Sequence, residues 1–193
     1  MAKSCREPGW ISPEEYLAGE ELAAVKHEYV AGRVFAMAGA KRRHNDIVYT
    51  LLGLLVNHLF GHRCRAYGSD FKVRTANDHF YYPDITVLCD EGGPDDVYTA
   101  QPRFVCEVLS ESTRRTDETE KAIEYFQTPS IEAYVLIATE EACVRVLRRG
   151  GGDWWESEML SEPDEVLRLD GLGFAVTLAR IYQRTDLFAP DAG

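Results

Sequence analysis

The sequence predicts an α+β fold whose core runs helix, three strands, strand, helix, strand. Three observations predict it. Ile47, Val48, Leu51, Leu52, Leu55 and Leu59 recur at helical spacing between about Arg43 and Phe60, with Gly61 as the stop. The pieces after that helix, Cys64 to Tyr67, Phe71 to Arg74, Ile85 to Leu88 and Phe104 to Leu109, read as strands. A chain of 193 residues with 45% apolar content is long enough for one ordinary domain with a full hydrophobic core. A single domain over residues 1–193 is therefore expected, with its core at about 41–148.

The elements follow in order. Ser12-Pro13-Glu14-Glu15 has the form of an N-cap, a proline at the first helical position and a glutamate at N3, so a short helix starts there. Tyr29 to Phe35 reads as an N-terminal hairpin with its turn near Ala31-Gly32. The long helix and the four strands come next, then a second helix from about Thr113 to Gln127. Tyr134 to Ala138 and Val144 to Leu147 are two more strands. Gly150-Gly151-Gly152 is a loop inside the domain, because strand-like pieces resume at Trp154-Trp155, Val166 to Leu169 and Phe174 to Val176 as C-terminal strand additions.

The composition narrows the setting. Cys5, Cys64, Cys89, Cys106 and Cys143 are odd in number and never form C-x-x-C, so they read as free thiols of a reducing cytoplasm rather than a disulfide framework or a zinc knuckle. The N-terminus lacks the form of a signal peptide, and no stretch approaches the roughly 20 apolar residues of a membrane span. A soluble, cytoplasmic protein without membrane contact is expected. The net charge of −11 is unevenly spread. Arg33, Lys41, Arg42, Arg43, Arg63, Arg65, Lys72 and Arg74 face only Asp46 and Asp70 in their window, which carries +6 and leaves −17 elsewhere. His44, His58, His62 and His79 fall in or just past that window. Such a window suits phosphate binding, and equally suits the solvated side of a helix and its neighbours.

Two strands that read as buried carry acids. Asp84 follows Pro83 directly, at the start of the apolar run Ile85 to Leu88, and Glu107 sits within Phe104 to Leu109. Burying an unpaired carboxylate costs several kcal/mol, so each needs a cation or a set of donors. A lysine could serve. So could a divalent ion held by both acids, since Mg²⁺ is usually bound by one or two carboxylates plus water and substrate phosphate.

At these residues the sequence resembles a known family. Pro83-Asp84, then Glu107-Val108-Leu109, then a lysine, is similar to the PD-(D/E)XK motif of the restriction-endonuclease-like nucleases. The order P-D-x-x-V, E-V-L-S-x-S-T, D-x-x-x-K and E-x-Y, with the late Leu172-Gly173, resembles the Uma family of bacterial endonucleases from about Ile11 to Leu187. In the motif as usually written the lysine stands two residues after the glutamate, where this chain has Leu109. The resemblance implies that Lys121 on the following helix takes the role. Lys121 lies four residues after Asp117 and four before Tyr125, beside the apolar face of Ala122, Tyr125 and Phe126. The plainer alternative is an Asp117 to Lys121 helix pair worth about 0.2 to 0.5 kcal/mol, with Glu107 satisfied by a neighbouring lysine.

The resemblance further implies a metal-dependent endonuclease with a restriction-endonuclease-like core, acting on nucleic acid and in the first place on DNA. Asp84, Glu107 and the main-chain carbonyl of Val108 would hold Mg²⁺ or Mn²⁺, and Lys121 would orient the attacking water or neutralise developing charge. His44, at the start of the long helix where matching family members also carry histidine, is a further catalytic candidate; an exposed helix-terminal residue is its other reading. Glu28 and Asp46 are possible additional acids or plain surface charges. Lys41, Arg42 and Arg43 would meet the nucleic-acid backbone. A non-catalytic nucleic-acid-binding module, or an interaction subunit using Trp154, Trp155 and Met159, remains open. A homodimer about a two-fold axis is expected.

Overall fold

A computed structural model describes residues 9–111, 113–151 and 154–188. Helix α1 (Pro13–Glu20) opens with the capping box its sequence encodes: Ser12 Oγ accepts from the Glu15 N–H, and Glu15 returns the bond to the Ser12 N–H. Strands β1 (His27–Val30) and β2 (Arg33–Ala36) form the expected hairpin, with Ala31 at φ 50° and Gly32 at φ 87°. Two successive left-handed residues match the twist of the paired strands, which is why a glycine stands here. A Cβ on Gly32 would also strike the Trp10 indole.

Helix α2 (Arg42–His58) buries Ile47, Val48, Leu51 and Leu55, the stripe read from the sequence. The remaining strands are β3 (Arg65–Gly68), β4 (Lys72–Arg74), β5 (Phe80–Tyr81), β6 (Ile85–Leu88), β7 (Tyr98–Thr99), β8 (Pro102–Leu109), β9 (Ala133–Ala138), β10 (Val144–Arg149), β11 (Trp155–Leu160), β12 (Val166–Leu169) and β13 (Phe174–Thr177). Among the described residues they form a six-stranded sheet in the order β11-β10-β9-β8-β6-β3, a five-stranded sheet in the order β2-β1-β5-β4-β7, and the ribbon β12-β13. In the larger sheet only β8 and β9 are parallel, joined by the second long helical segment, whereas β3, β6 and β8 are antiparallel neighbours. The core is thus helix, three antiparallel strands, helix, parallel strand.

This corrects one expectation. The strand Phe71–Arg74 does not belong to the core sheet. As β4 it pairs with β5 and β7, beside the N-terminal hairpin. The three strands of the core are β3, β6 and β8. The C-terminal additions also divide, with β11 extending the large sheet and β12-β13 forming a separate ribbon packed into the same core as α2.

The large sheet is covered on both faces. Phe104, Cys106 and Val108 of β8 pack into the cluster that contains the α2 stripe. Val105 and Leu109 pack into a second cluster with Ala122, Tyr125 and Tyr134. Because side chains alternate along a strand, Glu107 belongs to the second face. Both faces being covered explains why the strand reads as a continuous apolar run. The helical segment over that face is a composite: Arg114–Thr116 is α-helical, Asp117–Lys121 is a π turn, and Ala122–Gln127 is α-helical again. A π insertion inside a helix is rare and occurs frequently at functional sites.

The cysteine reading is corrected as well. Cys64 and Cys89 form a disulfide, while Cys106 and Cys143 are free. The strand register pairs Arg65 with Leu88, so the residue before β3 meets the residue after β6. Cystines belong mainly to oxidising compartments, so the thiol argument for a reducing cytoplasm does not stand. Cys5 and Gly152 lie outside the described residues. Gly150 and Gly151 lie between β10 and β11, which pair with each other in the large sheet. Among the described residues no helix is long and apolar enough to cross a membrane.

Candidate active site

Asp84 and Glu107 meet because β6 begins where β8 ends. Ile85 is paired with Cys106, which places Asp84 beside Glu107 across the ladder. Each carboxylate bonds the other strand's backbone: the Asp84 N–H donates to Glu107 Oε2 at 3.2 Å, and the Val108 N–H donates to Asp84 Oδ2 at 2.8 Å. Asp84 Oδ2 also lies 3.1 Å from Nε2 of His44, in the first turn of α2. Asp84 thus reaches α2 through His44, while Glu107 reaches back to the Asp84 backbone and on to Lys121.

Lys121 comes from the π turn and is buried together with Glu107 and Asp117. Its ammonium lies 2.9 Å from Glu28 Oε1, 3.0 Å from Glu107 Oε1 and 3.2 Å from Asp117 Oδ1. The Asp117 contact has ion-pair distance without hydrogen-bond geometry. The Tyr81 ring sits 5.4 Å from the same ammonium. Tyr134 donates to the main-chain carbonyl of Asp117 at 3.0 Å, fixing the π turn to β9. Glu28 arrives from β1: its neighbour Tyr29 packs with Tyr16 and Phe80 on one face, which turns Glu28 to the other. Glu28 also accepts from the Tyr82 N–H at 3.5 Å, tying the hairpin to the Pro83-Asp84 segment.

The electrostatics are unbalanced. Four carboxylates, Glu28, Asp84, Glu107 and Asp117, surround Lys121 and His44. Burial pushes Glu107 well above the usual carboxylate range; Lys121 opposes this, and Asp117, Asp84 and Glu28 add to it. Asp117 is raised by burial too, against the pull of Lys121 and Thr113. Burial alone would lower Lys121, but Glu107, Tyr125, Glu28 and Asp117 hold it charged. His44 is likewise raised, its burial outweighed by the hydrogen bond and charge of Asp84. The Tyr125 hydroxyl is buried with no hydrogen-bond partner among the described residues.

The donor set fits a small hard cation. Two carboxylates on adjacent strand ends are what Mg²⁺ usually takes from a protein, with water supplying the rest. The Val108 carbonyl shares the side of its own N–H, which is directed at Asp84. Among the described residues no three His, Cys, Asp or Glu side chains are grouped as a ready-made metal cage. Burial raises Glu107 and Asp117 and their neighbouring carboxylates raise them further, an electrostatic cost that a bound cation would relieve.

The structure brings together Asp84, Glu107, Val108, Lys121 and His44. Asp46 does not join them; its carbonyl accepts the Thr50 hydroxyl within α2. The Arg43 guanidinium lies against the Thr139 carbonyl, Glu140 and Asp186. Lys41 and Arg42 remain exposed. Trp155 stacks on Phe126 at 4.7 Å, with the Arg149 guanidinium over its ring. Sequence reasoning undervalued Glu28 and saw Asp117 only as a helix pair. The available signal for Glu28 was one acid inside the four-residue strand His27–Val30, the same anomaly that marks Glu107.

The chain is similar to several known proteins. The uncharacterized Synechocystis sp. protein slr1290 is 36% identical over 172 residues, covering 86% of this chain and 89% of that protein. A second uncharacterized Synechocystis sp. protein, sll1609, is 29% identical over 163 residues, covering 81% and 91%. A crystal structure of "a putative nuclease belonging to DUF820" from Anabaena variabilis superposes with a TM-score of 0.74 at 20% identity, over 90% of this chain and 98% of that one. That likeness establishes the fold. Residues 13–179 match the Uma2 family, described as "Putative restriction endonuclease". With most of its length matched and a relative above a third identical, the chain belongs to the Uma2 family.

Proposed function

We propose that the protein is a metal-dependent endonuclease that hydrolyses phosphodiester bonds of nucleic acid, with DNA as the first substrate to test. The observation that supports this reading is the convergence of Asp84, Glu107 and Lys121 in one buried cluster that also holds Glu28 and Asp117. Asp84, Glu107 and the Val108 carbonyl would hold Mg²⁺ or Mn²⁺. When bound, the ion would polarise the scissile phosphate and lower the pKa of a coordinated water. The chain's own residues do the remainder. His44 orients Asp84 through Nε2, Glu28 and Asp117 hold the Lys121 ammonium in place, and Lys121 neutralises charge that develops on the phosphate.

A second reading has its own observation. Lys121 is fully engaged with carboxylates and Asp84 with His44 and Val108, as in a scaffold that binds nucleic acid without cutting it. Calorimetry with Mg²⁺ and Mn²⁺ separates the two. Asp84→Asn is expected to abolish a binding isotherm that the wild type shows, and an isotherm unchanged by the substitution would end the metal reading. A homodimer belongs to this proposal, supported by exposed Trp154 beside β11 and by Met159 on that edge strand. Light scattering at micromolar concentration should give twice the chain mass, and a monomer would remove it.

A further inference from the structure

Lys72 is the buried charge of the described residues that its surroundings do not neutralise. It lies on β4 with 8% of its surface exposed. Its ammonium has one hydrogen bond, to the Tyr82 hydroxyl at 3.3 Å, and no carboxylate within ion-pair distance among the described residues. Glu20 is nearby, but its carboxylate already accepts from Tyr82 at 2.9 Å and from the His27 N–H at 2.8 Å, and lies 3.0 Å from His27 Nδ1. The Tyr82 hydroxyl donates its hydrogen bond to Glu20, so it offers Lys72 only a neutral lone pair. Burial depresses the Lys72 ammonium, with Glu20 only partly offsetting it. Lys121, the comparable buried lysine, has carboxylates on three sides.

The place of this ammonium is what gives it meaning. The Tyr82 ring carries two cations, Lys72 at 5.2 Å and Lys26 at 5.6 Å from its centroid. Lys26 is half-exposed and shared with Asp70 and the Ser69 carbonyl. Tyr82 stands two residues before Asp84, so at most about 7 Å of chain separates them. Its N–H donates to Glu28, which pairs with Lys121.

We propose that Lys72, with Lys26 across the Tyr82 ring, forms a subsite for a phosphate oxyanion next to the Asp84–Glu107 centre. Resting on the reading of the protein as a nuclease, the subsite takes a backbone phosphate of the bound strand. The oxyanion supplies the counter-charge that the fold withholds from Lys72, and the subsite fixes the register of the strand against the centre.

The binding test uses the whole protein in EDTA, and cleavage is followed separately with Mg²⁺, so that loss of cleavage by Glu107→Gln with binding in EDTA intact bears on the nuclease reading alone. Fluorescence anisotropy follows a labelled duplex and a labelled single strand as salt is raised. For the duplex, Lys72→Met should reduce the slope of log K against log salt by about 0.9 and weaken binding about eightfold at 0.1 M salt. Lys72→Arg should keep both. The thermal midpoint of Lys72→Met without ligand should hold or rise, since Tyr82 retains its bond to Glu20. Inorganic phosphate that raises the midpoint of the wild type but not of Lys72→Met, with oligonucleotide binding equal in both, supports the subsite with free phosphate as its source. Unchanged slope and affinity, with no phosphate effect and a lowered midpoint, overturns the proposal and leaves Lys72 a structural residue.

Discussion

Glu107→Gln separates a site built around a carboxylate from an ordinary buried ion pair. Glu107 is 3% exposed and lies 3.0 Å from Lys121. Were the two a simple pair, removing one partner would leave an uncompensated charge and cost about 3 to 5 kcal/mol. At about 2 to 4 °C per kcal/mol for a domain of this length, the midpoint would fall by roughly 6 to 20 °C. The geometry argues for less. Lys121 keeps Glu28 and Asp117 at 2.9 and 3.2 Å, and the neutral side chain relieves repulsion from Asp84, Asp117 and Glu28. A glutamine cannot accept from both Lys121 and the Asp84 N–H, so one bond is lost, at about 1 to 3 kcal/mol. Relief and loss oppose each other, and a midpoint within about 4 °C of wild type in EDTA is expected, together with complete loss of Mg²⁺-dependent cleavage. Lys121→Met is the contrasting variant: it strips three carboxylates of their shared cation and should fall into the larger range or fail to fold. A drop of 10 °C or more for Glu107→Gln would refute the reasoning, because Lys121 would then depend on Glu107 alone.

Three further outcomes follow from the same structure. In EDTA the midpoint should fall as pH rises above the ordinary carboxylate range: Glu107 and Asp117 are raised on folding, so the native state holds more protons than the unfolded one and loses stability as they leave. Lys121, also raised, contributes throughout that window, and saturating Mg²⁺ should flatten the slope seen in melts from pH 5 to 9; a midpoint that rises with pH in EDTA contradicts the assignment. Reducing Cys64–Cys89, or replacing both by serine, opens a link across 25 residues of sequence, worth about 3.5 kcal/mol by loop entropy; unchanged melts with and without reductant would show that the link does not form in solution. His44→Ala should weaken Mn²⁺ binding by calorimetry less than Asp84→Asn does, since it removes only the group that orients Asp84; equal loss would make His44 a ligand.

The core of the site was legible because it violates local rules. A carboxylate at the start of one buried strand and another inside the next are conflicts that periodicity exposes, whereas Lys121 came from the family resemblance. The long helix was legible from its stripe, and the hairpin from the left-handed turn that Ala31-Gly32 permits. What the sequence did not reveal is pairing. The strand Lys72–Arg74 has the same local pattern whichever sheet it joins, and only the register of Arg74 with Phe80 sends it to the smaller one. Cys64 and Cys89 carry no motif; the β3–β6 register alone brings them together.

Glu28 shows why the remainder of the site escaped. It lies far from Lys121 in sequence and reaches it only because Tyr29 pairs with Phe80, joining the hairpin to the strand that leads into Pro83-Asp84. That contact belongs to tertiary structure, so a local reading finds merely an acid near a turn. Its consequence is mechanical. The chain that delivers Asp84 and the hairpin that grips Lys121 are one sheet, and Tyr82 sits at their junction, bonded through its N–H to Glu28 and through its hydroxyl to Glu20 and Lys72. A shift of the smaller sheet would move Glu28, Tyr82 and Asp84 together. The five-stranded addition is therefore part of the candidate site, since it carries one of the carboxylates on Lys121 and leads through Tyr82 to Asp84.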